Sequence, residues 1–548
     1  MMKKYNVKVW AGAVAILFLA ASCSDFLDIN DNPNAATSAD VNLVLPQAIT
    51  ASAVVANTYN TYGGHFGGFL ANAGGFSGFG TLLSYNLTPS DHNGLWTVTY
   101  QDPLNDFKYV IDKTEGDPTY AYFNAAAKIM TVYLYMKLVD TFGDVPYTEA
   151  LRGSEGLVTP AYDDAASIYA DLQTKLDEAI SLIDNSQFSL RLTKASDPLF
   201  GPLAQSSAER NIGDQMLDWK RFANTLKLKM LVRTANNAGL AALPLTFPDI
   251  YVTPGDASTG VRIPGGSAFI TDDAIVDPGF EVNRPNPAWN SWGRTVALTL
   301  SNSSRVPTSY SFAFYAGPKL SDAGRGRTIY VNYPATPHNQ LGDETDAAPI
   351  VANQVTWAGS GIYSGLGVLK GAGMGQPLML AAEALFLRAE AELNGGIAGG
   401  TAAAETSFNA GITASFNYLY KDENETVTTA VAPLVSSYIS TNTGNYLADF
   451  TAATTTAQRL EAIITQKYIA MNMITSDEAY NEFRRTGFPV TVPGGGENFD
   501  IASNKSTITE RFDRLPTRVM YPSSEQSFNA GNYRTVDYRS ERIFWDPS

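Results

Sequence analysis

A mostly α-helical protein, with paired helices framing a long loop-rich insert, is the fold class this sequence predicts. Three observations predict it. Apolar residues recur at three- and four-residue spacing through the first and last thirds of the 548 residues. Gly, Pro, Ser and Thr crowd the middle third. Finally, 45% hydrophobic content gives a chain of this length a large core without disulfides, which it needs because Cys23 is its only cysteine.

The N-terminus reads as an export signal. Lys3, Lys4 and Lys8 precede an apolar run from Val9 through Ala21, which is shorter than the ~20 residues that cross a bilayer as a helix. Leu19-Ala20-Ala21-Ser22-Cys23 then has the order of a bacterial lipoprotein signal, with Ala20 where leucine is commoner. The expectation is cleavage after residue 22 and lipid on Cys23. Residues 23–45 follow as an acidic tether. Within it Asp28, Asn30 and Asn32 have the alternate spacing of a calcium loop, but Pro33 stands where that loop needs glycine and Ala39 where it needs glutamate.

Helical stripes carry the remainder, 46–548, read as one domain. Phe123, Ala127, Met130 and Leu134 mark one helix. Ile168, Leu172, Leu176, Ile180 and Ile183 mark a second, with Asp163 as its expected cap, and Trp219, Phe222, Leu226 and Met230 a third. From about 239 to 375 the text turns to loops with short β-like runs, among them Tyr310-Ser-Phe-Ala-Phe-Tyr315, whose alternation suggests one buried face of a strand. Helices return with Ala382, Phe386, Ala389 and Leu393, then Phe408, Ile412 and Phe416, then Leu460, Ile464, Tyr468 and Met471. Helical pairs of this length suggest stacked tetratricopeptide-like hairpins, although no clean ~34-residue signature is present.

Charge and chemistry narrow the function. The net charge is −16, and loss of residues 1–22 removes three lysines and no acid, taking it to −19. Such a surface repels phosphate backbones, so nucleic acid is not an expected partner. Only His65, His92 and His338 are available as imidazoles, and there is no zinc-protease, nucleophile-elbow, P-loop or dinucleotide motif. The reading is of a non-enzyme without cofactor or metal. Two alternatives stay open: a lipid-anchored glycoside hydrolase, whose two carboxylates need no fixed sequence spacing, and a helical-repeat lipoprotein with no ligand of its own.

Sugars present apolar C–H faces and a hydroxyl rim, so a site for them needs flat aromatic platforms on loops. The insert supplies Trp289 and Trp292, and Trp357 near Tyr363. The glycine-rich tip 74–80 adds Phe76 and Phe79. These six residues are the candidate ligand contacts. Trp96, Trp219 and Trp545 read as packing, and Arg484, Arg485 and Arg518 as partners of helix carboxylates or carbonyls.

An ordered series of short motifs resembles the SusD/RagB group of Bacteroidetes outer-membrane lipoproteins. It runs Cys23-Ser-Asp-Phe-Leu-Asp28, Leu95-Trp96 with Tyr100, Phe142-Gly-Asp-Val-Pro-Tyr147, and Trp219-Lys-Arg-Phe-Ala-Asn224. The helix Leu380 to Glu392, Arg484-Arg485-Thr486-Gly487 with Pro489, Pro516-Thr-Arg518 and Tyr521-Pro522 complete it. The usual Asn-Asp-Pro-Arg stretch appears only as Leu320-Ser-Asp-Ala-Gly-Arg-Gly-Arg327. The resemblance implies a tetratricopeptide-like scaffold beneath a loop-built ligand face, with the alanine-rich stretch after Gln47 helical. It also implies a surface-exposed, lipid-anchored binder of oligosaccharide or another nutrient. Such a binder acts as lid and capture partner of a SusC-like, TonB-dependent outer-membrane barrel.

Overall fold

The computed structural model describes residues 38–547 apart from 76–84, 187–188, 202–211, 236–245, 252–261, 336–354, 358–363 and 492–514. Cys23, Phe76, Phe79, His338 and Tyr363 lie outside the described residues. Residues 1–43 separate as one unit, of which only 38–43 are described, and the architecture belongs to the other, Val44–Ser548.

Helix α1, Val41–Phe66, contains no Asp, Glu, Lys or Arg and begins inside the stretch read as tether. It is long and apolar enough to cross a membrane, yet half of that apolar window is buried in protein, the mark of a core helix. Helix α2 (Asn93–Thr99) runs through a π-turn at Tyr100–Leu104 into α3 (Asn105–Thr114). Pro103 lies within that turn; it lacks the N–H a regular helix would use, and the ladder shifts register there.

The first half of the scaffold is built round α4, Ala121–Phe142, which is buried along its entire length. A helix covered on all sides has no amphipathic stripe, and its neighbours must wrap it. Helix α5 (Ala165–Asn185) lays Ile168, Leu172, Leu176, Ile180 and Ile183 against it, all buried, and α6 (Ile212–Thr234) packs on both. The cap of α5 is Asp164, whose Oδ1 accepts from Ser167 N at 2.9 Å. Asp163, the expected cap, instead receives the N–H groups of Tyr147 and Thr148 at 2.9 and 3.0 Å and ties down the preceding turn.

The second half repeats the pairing with α10 (Ala381–Leu393) against α11 (Gly400–Leu419), the most extensive helix contact in the chain. Helices α12 (Ala432–Thr441), α13 (Thr456–Met471) and α14 (Ser476–Thr486) follow, and α15 (Ser523–Phe528) lies near the C-terminus. Thr455 and Gln458 form a reciprocal capping box at the start of α13, and Gly487, at φ +75°, ends α14 in the left-handed conformation that glycine adopts without strain.

Between the halves lies the loop-rich insert. Its strands, with β1 (Leu70–Asn72) and β8 (Gln376–Met379), make two-stranded antiparallel pairs: β1 with β5 (Arg305–Pro307), and β2 (Ile250–Tyr251) with β3 (Arg262–Ile263). Likewise β4 (Ala274–Val276) pairs with β8, and β6 (Tyr330–Val331) with β7 (Thr356–Trp357). Three short helices complete it: α7 (Pro287–Trp292), α8 (Ser309–Ala316) and α9 (Ala323–Ile329). Helix α8 corrects the expected strand at Tyr310–Tyr315. The alternation there is illusory because Ser311 and Ala313 are as buried as the rings between them. Thr308 Oγ1 caps the Ser311 N–H at 3.0 Å and starts a helix instead.

Ion pairs buried between helices lock the two halves together. Arg233 of α6 reaches Asp140 of α4 and Glu478 of α14. Lys229 bridges Glu383 and Glu478 at 2.6 and 3.1 Å, and Lys467 meets Glu482 at 2.7 Å. Arg485 joins Glu482 to Glu390 of α10. Arg484 donates to the carbonyls of Asp140 and Thr517 at 2.7 and 3.0 Å. Trp545 lies against both Arg233 and Arg484 and donates its indole N–H to Asp140 at 2.8 Å. Charges so enclosed gain little net free energy, but removing one partner strands the other in low dielectric at a cost of about 3–5 kcal/mol. Arg518, the third arginine of the sequence reading, places its guanidinium over Tyr521, 5.1 Å from the ring centroid, as Arg484 does over Tyr480 at 4.4 Å.

Candidate functional site

Asn286 starts the site. Its Oδ1 accepts from the N–H groups of Ala288 and Trp289 at 2.8 and 3.0 Å, and Pro287 fits the first helical position, so α7 begins at a fixed point. Asn286 is wholly buried and its own N–H is held by Ala372 O at 2.9 Å. Helix α7 is therefore anchored at its N-terminus. At its C-terminus Gly293 leaves room for the indole of Trp289: a Cβ there would sit 2.5 Å from the ring.

Trp289 is half-buried, packed on one side against the main hydrophobic core and lining on another a cavity of about 920 Å³. Phe280, Val282 and Leu298 share the wall, with Glu281, Arg294 and Glu423 as its charged groups. Glu423 Oε2 is oriented by the Gly373 N–H at 3.2 Å. Arg294 donates to Leu298 O at 2.9 Å and closes a hairpin with Leu300, across which Thr295 and Thr299 bond through backbone and hydroxyl at 2.8 and 2.7 Å. The hairpin tip thrusts Val296 and Leu298 into solvent at 82% and 74% exposure, with Leu298 at φ +62°. Apolar side chains left open on a cavity wall are a surface waiting to be covered.

The tryptophans that the sequence grouped together are placed differently. Trp292, on the same short helix, and Trp357, on β7, are buried at 7% and 4% exposure and meet edge to face with centroids 6.0 Å apart. They are core side chains that support α7 from beneath. Only Trp289 of the three lines the cavity. Sequence reasoning missed Phe280, Val282, Arg294, Val296 and Leu298. The signal for the last two was Thr295-Val-Ala-Leu-Thr299, an apolar triplet between threonines in a stretch of turn formers.

Burial, with Arg305 beside it, holds the His65 imidazole down to about 3, and burial holds His92 down to about 4, so both are neutral. Among the described residues no cluster of three or more His, Cys, Asp or Glu side chains is arranged to hold a metal.

Two family models match the chain. One, described as "Starch-binding associating with outer membrane", matches residues 33–245, and the other, described as "Susd and RagB outer membrane lipoprotein", matches 359–540. No curated protein matches the sequence significantly. Solved structures match nearly the whole chain. A chitin-binding SusD homologue from Flavobacterium johnsoniae is 20% identical, with a TM-score of 0.64, covering 91% of this chain and 98% of its own. A SusD/RagB family protein from Bacteroides thetaiotaomicron is 18% identical at 0.64, covering 93% and 99%. A SusD homologue from Bacteroides uniformis is 20% identical at 0.63, covering 93% and 100%. At such identities the likeness carries the fold.

Proposed function

The chain belongs to the SusD/RagB family of outer-membrane lipoproteins, and from that premise we propose that it captures an oligosaccharide in the Trp289 cavity for a TonB-dependent transporter. The observation that carries the binding half is Trp289 itself, a rigidly seated indole on an open cavity wall among polar and charged groups. A sugar ring stacked there would remove about 60–80 Å² from water, worth roughly 1.5–2 kcal/mol at ~25 cal/mol/Å². A few hydrogen bonds to Arg294, Glu281 and Glu423 then bring the affinity to the micromolar to millimolar range after ordering costs.

The transporter half follows from the family and from the expected lipid on Cys23. A tethered binder raises the local concentration of nutrient but moves nothing across a membrane, so a barrel must take delivery. As its lid the protein would bury more than ~1,000 Å² against the barrel and hinge on it.

Glycan arrays that include chito- and malto-oligosaccharides test the binding, and affinity purification from mild detergent extracts of the native cell tests the partnership. Binding weakened about tenfold or more by Trp289→Ala, and recovery of a barrel with the protein, are the expected results. Recovery of the protein alone, while other outer-membrane complexes survive extraction, overturns the lid. Because Glu281 and Glu423 line one cavity, product analysis belongs in the same experiment: chain cleavage lost in Glu281→Gln or Glu423→Gln would make the protein a hydrolase.

A further inference from the structure

Phe280 and Glu281 line two cavities. Behind the Trp289 cavity is a second, of about 730 Å³, bounded by Thr50 of α1, Thr193, Lys194 and Asp277. The wall between them is the loop from Asp277 to Arg284, and it is braced from within. Glu281 and Arg284 exchange backbone bonds of 3.0 Å, and Arg284 Nη2 donates to the carbonyls of Pro278 and Gly279 at 2.9 Å each. Asp277 Oδ1 accepts from Gly279 N at 2.9 Å, while Asp277 N is pinned to Pro198 O at 2.8 Å. A wall tied at so many points does not fold into either space, so both stand open together.

The two spaces differ in chemistry. The first has the indole and the apolar hairpin; the second has no aromatic ring besides Phe280 and offers two hydroxyls, an ammonium and the carboxylates of Asp277 and Glu281. Each alone lies within the ~300–1,000 Å³ that encloses a drug-sized ligand, so the pair suits something longer. Resting on the oligosaccharide reading above, we propose that the cavities are consecutive compartments of one cleft and that the ligand is an extended oligomer. Units at one end stack on Trp289, and the chain passes over Phe280 and Glu281 to hydrogen-bond beside Thr50 and Lys194. The second compartment sets the chain-length preference.

Calorimetry with two-unit and six-unit chito- and malto-oligosaccharides tests this on the wild type, Thr50→Trp, which fills the second compartment, Lys194→Ala and Trp289→Ala. In the series that binds, the six-unit sugar should bind about tenfold or more tighter than the two-unit sugar. Thr50→Trp and Lys194→Ala should shrink that ratio while leaving two-unit affinity and melting temperature unchanged. Trp289→Ala should weaken both lengths. A length ratio that survives both second-compartment variants, or length-independent binding that Trp289→Ala abolishes, overturns the proposal and leaves the oligosaccharide reading standing. Absence of binding at either length in both series brings down both.

Discussion

Arg485 grips Glu390 with both arms: Nη1 lies 2.6 Å from Oε1 and Nη2 2.7 Å from Oε2, with neither side chain reaching solvent. The pair fastens α14 to α10 across 95 residues of sequence. Arg485→Ala should lower stability by about 3–5 kcal/mol, because Glu390 would be left charged and buried. The double variant Arg485→Met with Glu390→Met should recover part of that loss: the desolvation costs of Arg485 and Glu390 go, while buried Glu482 loses Arg485 and keeps Lys467 at 2.7 Å. Denaturant unfolding of the three proteins measures it; a double variant as weak as the single one would assign the loss to packing.

Acid should weaken the same network. Burial alone would raise the carboxyls of Glu478 and Glu482, but the cations around them prevail. Arg233, Lys229 and Lys137 hold Glu478 well below its ordinary value, while Arg485, Lys467 and Arg233 bring Glu482 down to about 2. An unfolded glutamate titrates near ~4.3, so between there and about 2 the unfolded chain binds protons that the folded chain refuses. This contribution is complete above the ordinary carboxylate range and is lost as pH falls through it. Buried Asp140 and Asp197, whose values burial raises, act in the opposite sense and offset part of the loss. Melting curves from pH 6 to 3 should fall steeply for the wild type. They should fall less for Glu482→Gln, although that variant starts lower; parallel curves would remove Glu482 from the account.

Position on the cavity wall should separate the tryptophans. Trp289→Ala should cost about 1–3 kcal/mol of ligand binding with little change in melting temperature. Trp292→Ala and Trp357→Ala should cost about 3–5 kcal/mol of stability, as large-to-small changes in a packed core do. Paired calorimetry and melting distinguish the outcomes, and a Trp289→Ala protein that melts early yet binds normally would reverse the assignment.

Cys23→Ala should release the protein from the membrane fraction or halt its maturation, since no other thiol exists to carry lipid. Mass analysis of the wild-type N-terminus checks the lipid directly. Unmodified Cys23 in a protein that still sediments with membranes would end this expectation.

The scaffold was largely legible because helix burial has a period. Ile168 through Ile183 in α5 and Phe408 through Phe416 in α11 are buried as their spacing requires. Helix α8 was not legible, because its eight residues, nearly all buried, are too short a run to show a helical period as the 22 of α4 do, and its aromatics mimicked strand alternation. The site was legible only as a region. Trp289 and Trp292 stand three residues apart in nearly the same composition. What divides them is which turn of a six-residue helix faces the core, and that is fixed by Asn286 and Gly293 together with segments distant in sequence. Of the charged network only the cationic side was legible: Arg484 and Arg485 read as partners of helix carboxylates or carbonyls, but Glu390 lies on a separate helix and its spacing does not mark it as the partner.

The paired charges in the interior govern how such a chain can drift over generations. A substitution at Arg485 alone is penalised at once, as is one at Glu390 alone, whereas their joint exchange for apolar residues costs less, with Glu482 still held by Lys467. Change in the scaffold must therefore come in matched steps and slowly. The hairpin at Val296 and Leu298 answers to no interior partner, so it is free to vary one residue at a time. Lineages that share these helices can acquire new appetites without rebuilding the frame that carries them.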